Sequence, residues 1–385
     1  DTSIERINAK KFLQENWSEI KLFIFIGSIS LSVRLISQLL VSKDEDPGVI
    51  VIDKNGLKII PLVGIHQTEA YSISLKLADL FDGEIVITNN SIFDKVLNLD
   101  CFGRNWGWIR SGVISNWSNL VINQSNKQKI LVKQFTGNKL WKQSKSAKKI
   151  SYLSEKDKCD EEENILHIGT DNNYKTAWHP PVLWVGIGCE RNTSAEFIED
   201  CINKLFQKYS LSSYSVAGLA TIDIKANEKA IIDISKKKNW PIKFFCTKEL
   251  LEVDIPNPSK VVFNEIGTFS VAEAASLLAC GCDGILKAEK NVFKDKDSNG
   301  KSLGAVTLSI AESKKQFAPS KGFIHIIGSG PGDLSFLTRD SKAALSDCSV
   351  LIGYKMYLDL LEPLIRDDQI RIDSELTQEK QRCSK

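Results

Sequence analysis

Short apolar runs alternate with stretches whose apolar residues recur every three or four positions, and this alternation covers most of the chain. Leu22-Phe-Ile-Phe-Ile26 is followed by Gly27-Ser-Ile-Ser and an apolar stretch to Leu40, which predicts a buried strand and a helix. Gly48-Val-Ile-Val-Ile-Asp53 and Leu57-Lys-Ile-Ile-Pro61 predict two strands joined across Lys54-Asn55-Gly56, because Asn-Gly favours a tight hairpin. Gly64-Ile65-His66-Gln67-Thr68-Glu69 leads into an amphipathic helix predicted from Ala70 to Leu80, and Glu84-Ile-Val-Ile-Thr88 closes the unit as a strand.

From about Ser91 to Pro181 the pattern weakens. Phe102-Gly-Arg-Asn-Trp-Gly-Trp-Ile109 gathers aromatic residues into a small satellite core or a docking edge. Lys127 to Lys149 holds eight lysines and no acidic residue, and Glu155 to Glu163 turns acidic; a solvated linker or small variable module is expected there. Trp178-His179-Pro180-Pro181 stiffens the chain and marks a boundary.

The alternation then returns. Val182-Leu-Trp-Val-Gly-Ile187 reads as a strand, Gly188 to Glu196 as a turn, and Phe197 to Phe206 as a helix. Strands are predicted at Tyr214–Thr221, Ile242–Phe245 and Lys260–Phe263, and helices at Ala226–Lys237, Thr247–Leu251 and Val271–Ala279. Such alternation favours an α/β domain of three layers with mostly parallel strands. After Pro319 a new unit opens with the apolar strand Phe323–Ile327, the glycine turn Gly328-Ser-Gly330-Pro331-Gly332-Asp333, a helix entered from Leu334 to Leu345, and the run Ser349–Tyr354.

Two turns carry candidate chemistry. At Gly188-Cys-Glu-Arg191-Asn-Thr193-Ser194-Ala-Glu196 glycine lets the backbone approach a ligand, Thr193 or Ser194 can cap the helix, and Glu196 suits its positive end. An ordinary capped turn has the same geometry. Lys225 and Glu228 mark a second strand-to-helix passage, either a ligand edge or a helix-end charge pair. In the later turn Asp333 stands where a dinucleotide fingerprint needs glycine, no P-loop lysine follows, and Pro331 removes an N–H, all of which argue against a phosphate cradle.

Composition narrows the class. A chain of 385 residues with 42% hydrophobic and 25% charged residues is globular and multidomain. A net charge of +2 implies no general affinity for nucleic acid or membrane. Nine cysteines without paired C-x-x-C sets, Cys280-x-Cys282 being the close pair, fit reduced cytoplasmic usage. No apolar run has membrane-span length and no signal segment opens the chain. The first residue is Asp1 and the single methionine is Met356, so the numbered chain is expected to begin after its natural start.

The segment Gly186-Ile-Gly-Cys-Glu-Arg-Asn-Thr-Ser-Ala-Glu196 resembles the opening of the carboxyl-terminal domain of the CbiG family of cobalamin biosynthesis. Leu219-Ala-Thr-Ile-Asp-Ile-Lys225-Ala-Asn-Glu228, Gly267-Thr-Phe-Ser-Val-Ala-Glu-Ala-Ala275, Lys287 and Thr307-Leu-Ser-Ile-Ala311 match in the same order. The strand order before Thr88 resembles the CbiG amino-terminal domain, although the loop at Gly64 and His66 lacks the family's second glycine. The resemblance implies opening of a precorrin lactone with water and release of acetaldehyde. That chemistry needs a base, for which Glu196 or Glu69 is the candidate, and anchors for peripheral carboxylates, for which Arg191 and Lys225 are, since an arginine fork matches a carboxylate. Gly188, Thr193, Ser194 and His66 complete the implied substrate contacts. The substrate is a precorrin or cobalt-precorrin, so cobalt enters only inside the macrocycle and no protein metal site is needed. The lysines of 127–149 would attract such a carboxylate-rich ligand.

Gly-x-Gly-Pro-Gly-Asp at 328–333, with Leu337-Thr338 and Ile352-Gly-Tyr354, resembles the opening of the tetrapyrrole methylases, in the branch of precorrin-3B C17-methyltransferases. This resemblance implies S-adenosylmethionine beside Gly328, Gly330, Pro331, Gly332 and Asp333, and leaves room for a homodimer through the methylase part. The domains expected are 1–123 (CbiG amino-terminal), 124–180 (variable module or linker), 181–315 (CbiG carboxyl-terminal) and 321–385 (the truncated first lobe of a methylase), a fragment of a fusion of hydrolase and methyltransferase. The alternative is a CbiG part that holds corrinoid without catalysis for the methyltransferase.

Overall fold

The computed structural model describes residues 8–42, 45–65, 70–86, 96–152, 164–281, 283–296, 302–317, 322–378 and 380. The chain divides into one unit of Asp1–Leu97, Leu140–Lys149 and Ile324–Lys385 and another of Asn98–Lys139 and Ile150–Phe323.

In the first unit β1 (Leu22–Ile26) pairs in parallel with β2 (Gly48–Ile52), which pairs antiparallel with β3 (Lys58–Val63), followed by a short parallel β4 (Glu84–Ile85). Gly56 takes the positive φ of 73° that the hairpin requires. Helix α1 (Ala9–Asn16) precedes β1. Helix α2 (Ile29–Ile36) is capped by Ser28, whose hydroxyl accepts from the Leu31 amide, and it stops short of the expected Leu40. Helix α3 (Ala70–Phe81) lays Ala70 and Ala78 on Ile50, Ile52 and Ile59. His66 and Glu69, and the end of the predicted strand at Thr88, lie outside the described residues.

The second unit holds two sheets. In the first, β5 (Ile109–Gly112), β6 (Leu131–Gln134), β7 (Ser151–Tyr152), β8 (Ile165–Ile168) and β9 (Thr176–His179) take the order β5-β9-β8-β6-β7, with β5 antiparallel at one edge and α4 (Ile114–Ser125) following it. The segment expected as linker or small module thus contributes strands, because apolar Ile130 and Val132 turn inward between the lysines. The aromatic run belongs to a core: Trp178 is buried edge-on to Phe102 and Trp117, and its indole N–H donates to the Leu99 carbonyl at 2.8 Å. The acidic stretch 155–163 lies outside the described residues.

The second sheet takes the order β12-β11-β10-β14-β13, formed by β10 (Leu183–Cys189), β11 (Val216–Ile222), β12 (Ile242–Phe245), β13 (Ile285–Lys296) and β14 (Ser302–Glu312). Helices α5 (Ala195–Lys208) and α6 (Lys229–Lys238) cover one face, burying Ile198, Cys201, Leu205 and Ile231 against Val185 and Ile187. On the other face Ala274 and Ala275 pack against Trp184 and Ala220, within the short helices α7 (Thr247–Leu251), α8 (Lys260–Ile266) and α9 (Ala272–Cys280). The three layers are those expected, but β13 and β14 return antiparallel beside the parallel strands β10 to β12. The strand predicted at Lys260–Phe263 is α8 instead. Ser259 accepts from the Val262 amide, Gly267 ends the helix at a φ of 83°, and exposed Val261 and Phe263 have no sheet face to cover.

Beyond 321 the first unit resumes with α10 (Arg339–Asp347), β15 (Val350–Tyr354), α11 (Lys355–Leu361) and β16 (Ile370–Ser374), with β15 parallel to β16. The strand predicted at Phe323–Ile327 is not formed: no described strand pairs with it, and Phe323, Ile324 and Ile326 are each more than 90% exposed. The helix expected from Leu334 begins at Arg339, because Thr338 caps it by accepting from the Ser341 amide at 3.2 Å. Among the described residues no helix is long and apolar enough to cross a membrane.

Close packing of α9 on β10 makes a prediction. A Cβ at Gly186 would stand 1.9 Å from the Ala272 carbonyl oxygen, whereas one at Gly188 would meet side chains at ordinary contact, 3.7 Å or more. Gly186→Ala is expected to lower the unfolding free energy by about 1–3 kcal/mol or more and Gly188→Ala to leave it nearly unchanged. Urea titration of both variants checks this; equal losses would contradict the packing.

Candidate functional site

The site is built where β10 ends. Ser194 caps α5, its hydroxyl accepting from the Phe197 amide at 3.2 Å, while Thr193 turns inward and donates to the Glu190 carbonyl at 2.8 Å. Of the two candidates for the cap, Ser194 therefore takes the role. Asn192 adopts a left-handed φ of 60°, a conformation asparagine tolerates, and its amide donates to Glu228 Oε1 at 3.0 Å. The Glu190 amide donates to the Ala305 carbonyl of β14 at 3.0 Å. The turn is thereby tied to the neighbouring strand and to the next β–α junction.

That junction supplies the charge. Lys225 Nζ lies 3.1 Å from Glu228 Oε2, and both side chains are nearly buried, at 12% and 7% exposure. Burial would raise the Glu228 carboxyl, but the hydrogen bonds from Lys225 and the Asn192 amide, with the charges of Lys225 and Arg191, hold it below the usual carboxylate range. The ion pair lies under the turn, where Glu228 accepts from the Asn192 amide. Burial also pushes the neighbouring Cys189 thiol up, so it is no ready thiolate.

Arg191, Asn192, Thr193, Ser194, Glu196, Asn227 and Glu228 are among the residues around a cavity of about 400 Å³ between the starts of α5 and α6. Arg191 and Glu196 both line it and are exposed. The structure thus brings together Arg191, Thr193, Ser194 and Glu196. Lys225 acts from beneath through Glu228, and Gly188 lies within β10, paired with Thr307. From the sequence, Glu228 is expected at the site only as the partner of Lys225, and that charge pair is formed, whereas Asn192 and Asn227 are not among the expected site residues. Their signal was present in the sequence, since the Lys225–Glu228 passage repeats the strand-to-helix geometry of the first turn beside it. Glu69 and His66 lie outside the described residues.

The loop at 328–333 is open. Gly330 and Gly332 take positive φ values of 69° and 125°, and a Cβ at Gly328 or Gly332 would have no described atom within 4 Å. Asp333 uses its carboxylate to accept from the Ser335 amide at 2.8 Å, which holds its pKa down. Pro331 is exposed. Among the described residues nothing closes over this loop at Gly328 or Gly332 to enclose a cofactor such as S-adenosylmethionine.

Comparison with known proteins follows the same division. The family models described as Cobalamin synthesis G N-terminal and Cobalamin synthesis G C-terminus match residues 11–91 and 183–311. The chain is 29% identical over 323 residues, 79% of its length and 82% of the relative's, to the cobalt-precorrin-5A hydrolase of Priestia megaterium. It is 30% identical over 112 residues to Protein CobE of Sinorhizobium sp, covering 29% of this chain and 73% of that protein. A stretch of 63 residues is 35% identical to the cobalt-factor III methyltransferase of Priestia megaterium, 16% of this chain and 12% of that protein. With both family models in place over the sheets bearing β1 and β10, the chain belongs to the cobalamin synthesis G family, CbiG.

Proposed function

We propose that the chain is a cobalt-precorrin-5A hydrolase of corrin-ring biosynthesis, which opens a lactone with water and releases the two-carbon unit as acetaldehyde. Similarity to the Priestia megaterium hydrolase over 82% of that protein carries this reading. The site is suited to such a substrate, a large macrocycle with peripheral carboxylates. Arg191 offers a planar fork to one carboxylate, and the amides opening α5 offer N–H donors to another. Gly188, Thr193 and Ser194 shape the turn that carries them. Glu196, which lines the cavity, takes the proton of the attacking water, with Glu69 as the other candidate base and His66 as a further substrate contact. Water adds to the lactone carbonyl and the acyl–oxygen bond breaks, leaving a carboxylic acid and a hydroxyethyl group. As the hydroxyl loses its proton and becomes the carbonyl of acetaldehyde, the electron pair of the cleaved carbon–carbon bond passes to the macrocycle, which takes up a proton.

A second activity is favoured by the match to a cobalt-factor III methyltransferase. In this reading 321–385 is the start of a precorrin methylase, with Gly328, Gly330, Pro331, Gly332 and Asp333 toward S-adenosylmethionine.

Incubation of the chain with the cobalt-precorrin-5A lactone, read by acetaldehyde release and macrocycle mass, tests the hydrolase. Arg191→Ala is expected to raise KM, and Glu196→Gln to cut kcat by about 10²-fold or more. Corrinoid binding without acetaldehyde would make the chain a corrinoid holder instead.

Glu228 adds a pH dependence. Its folded pKa lies below its unfolded value, ordinarily 4.5, so its stabilisation is present above that value and is lost as pH falls through the folded one. Urea midpoints measured from about pH 6 to about pH 3 should fall less steeply for Glu228→Gln than for the native chain. Parallel curves would show that the carboxylate contributes nothing to the site's stability.

A further inference from the structure

Ser111 lies in the edge strand β5, on the strand face it shares with Ile109, and Ile109 pairs with His179 of β9. The serine is therefore one diagonal step from the imidazole, and its Oγ stands 2.6 Å from His179 Nε2. The other ring nitrogen, Nδ1, lies 2.8 Å from the Gly169 carbonyl oxygen. A carbonyl only accepts, so Nδ1 carries the proton, and Nε2 of the neutral ring presents its lone pair to the serine hydroxyl. Nucleophile, base and an orienting group behind the base thus stand in a row.

The surroundings favour reaction over a merely filled core. His179 is wholly buried, and burial lowers its pKa against the pull of the Gly169 carbonyl and Asp171, so the ring is a free base at neutral pH. Ser111 is only half-buried, and its chain neighbours on the same side, Ile109 and Val113, are 49% and 66% exposed. Its backbone is held by Trp117, whose indole N–H donates to the Ser111 carbonyl at 2.8 Å. Gly112 then turns the strand at a φ of 111°, where a Cβ would strike the Lys175 carbonyl oxygen. Helix α4 opens at Ile114 with no side-chain cap on its first amides. The sequence of strand, serine, glycine and uncapped helix start places N–H donors next along the chain from the hydroxyl.

We propose that Ser111 and His179 form a second catalytic centre of the chain, a nucleophilic dyad that hydrolyses small carboxylic esters with an apolar acyl group. Ser111 Oγ attacks the ester carbonyl as its proton passes to His179 Nε2. The carbonyl–alkoxy bond breaks, the leaving alcohol takes that proton, and an acyl-serine remains. Water repeats the sequence and releases the carboxylic acid, so one ester and one water give one acid and one alcohol. This centre is independent of the hydrolase reading, which rests on the turn after β10.

The test uses the full chain with p-nitrophenyl acetate and with a fluorophosphonate probe, the modified peptide being located by mass spectrometry. Label on Ser111 is expected, abolished by Ser111→Ala and slowed about 10²-fold by His179→Gln. Glu196→Gln and Arg191→Ala should label at the native rate, so failure of the corrinoid reaction leaves this outcome legible. Ester hydrolysis should rise with pH to a midpoint below 6.5, the ordinary histidine value. Because His179 is a core residue, Ser111→Cys gives a second reading in a folded chain: the introduced thiol should be alkylated by iodoacetamide with a midpoint below the ordinary thiol range. An unlabelled Ser111, or a Ser111→Cys variant whose new thiol is alkylated as an ordinary cysteine, overturns the proposal.

Discussion

The close approach of α9 to β10 at Gly186 governs the second unit. β11 lies along one edge of β10, and β14 pairs with the other from Leu183 to Cys189. One face is covered by α5, and on the other the Ala272 carbonyl stands where a Cβ would be. A strand held on both edges and both faces has one position, so the turn that follows it has a fixed origin. Within that turn the Glu190 and Asn192 amides and the Thr193 hydroxyl all donate to neighbours. Preorganisation of this kind leaves Arg191 to project without competing for the turn's own polar groups.

Much of this was legible because the relevant signals are local. The run ending at Ile187, the glycines, and a Ser or Thr ahead of a helical pattern predict β10, the turn and α5, and the structure adds only that Ser194 rather than Thr193 caps. The same local logic gave the hairpin at Asn55-Gly56 and the span of α3. It failed where partners decide. Lys260-Val-Val-Phe263 has strand propensity, yet caps at Ser259 and Gly267 and the lack of a sheet edge make it a helix. Phe323–Ile327 has strand composition but no described neighbour to complete its hydrogen bonds. The antiparallel return of β13 and β14 was equally invisible, since periodicity reports burial and not direction.

The site residues divide along the same line. Arg191, Thr193, Ser194 and Glu196 sit in one continuous stretch and could be read together, whereas Glu228 joins them only through the fold, by accepting from the Asn192 amide. Ser111 and His179 are more distant still, and only the register of β5 on β9 puts them in contact. Long-range pairing is what sequence periodicity leaves open.

The two centres of the second unit differ in the chemistry their groups permit. After β10 the candidate nucleophiles are engaged or suppressed: Thr193 donates to the Glu190 carbonyl, Ser194 caps α5, and burial raises the Cys189 thiol. Lys225 and Glu228 neutralise each other, so Arg191 and the helix amides are the groups left to attract an anion, and the proposed hydrolysis draws on a carboxylate to activate water. At β5 the balance is reversed. No ion pair is needed, because the buried imidazole is neutral and already accepts the serine proton's hydrogen bond, and a carbonyl fixes its tautomer from behind. The charged pair and the neutral serine–histidine pair therefore occupy separate sheets, and the two proposed chemistries divide along the same line, each where the local burial suits it.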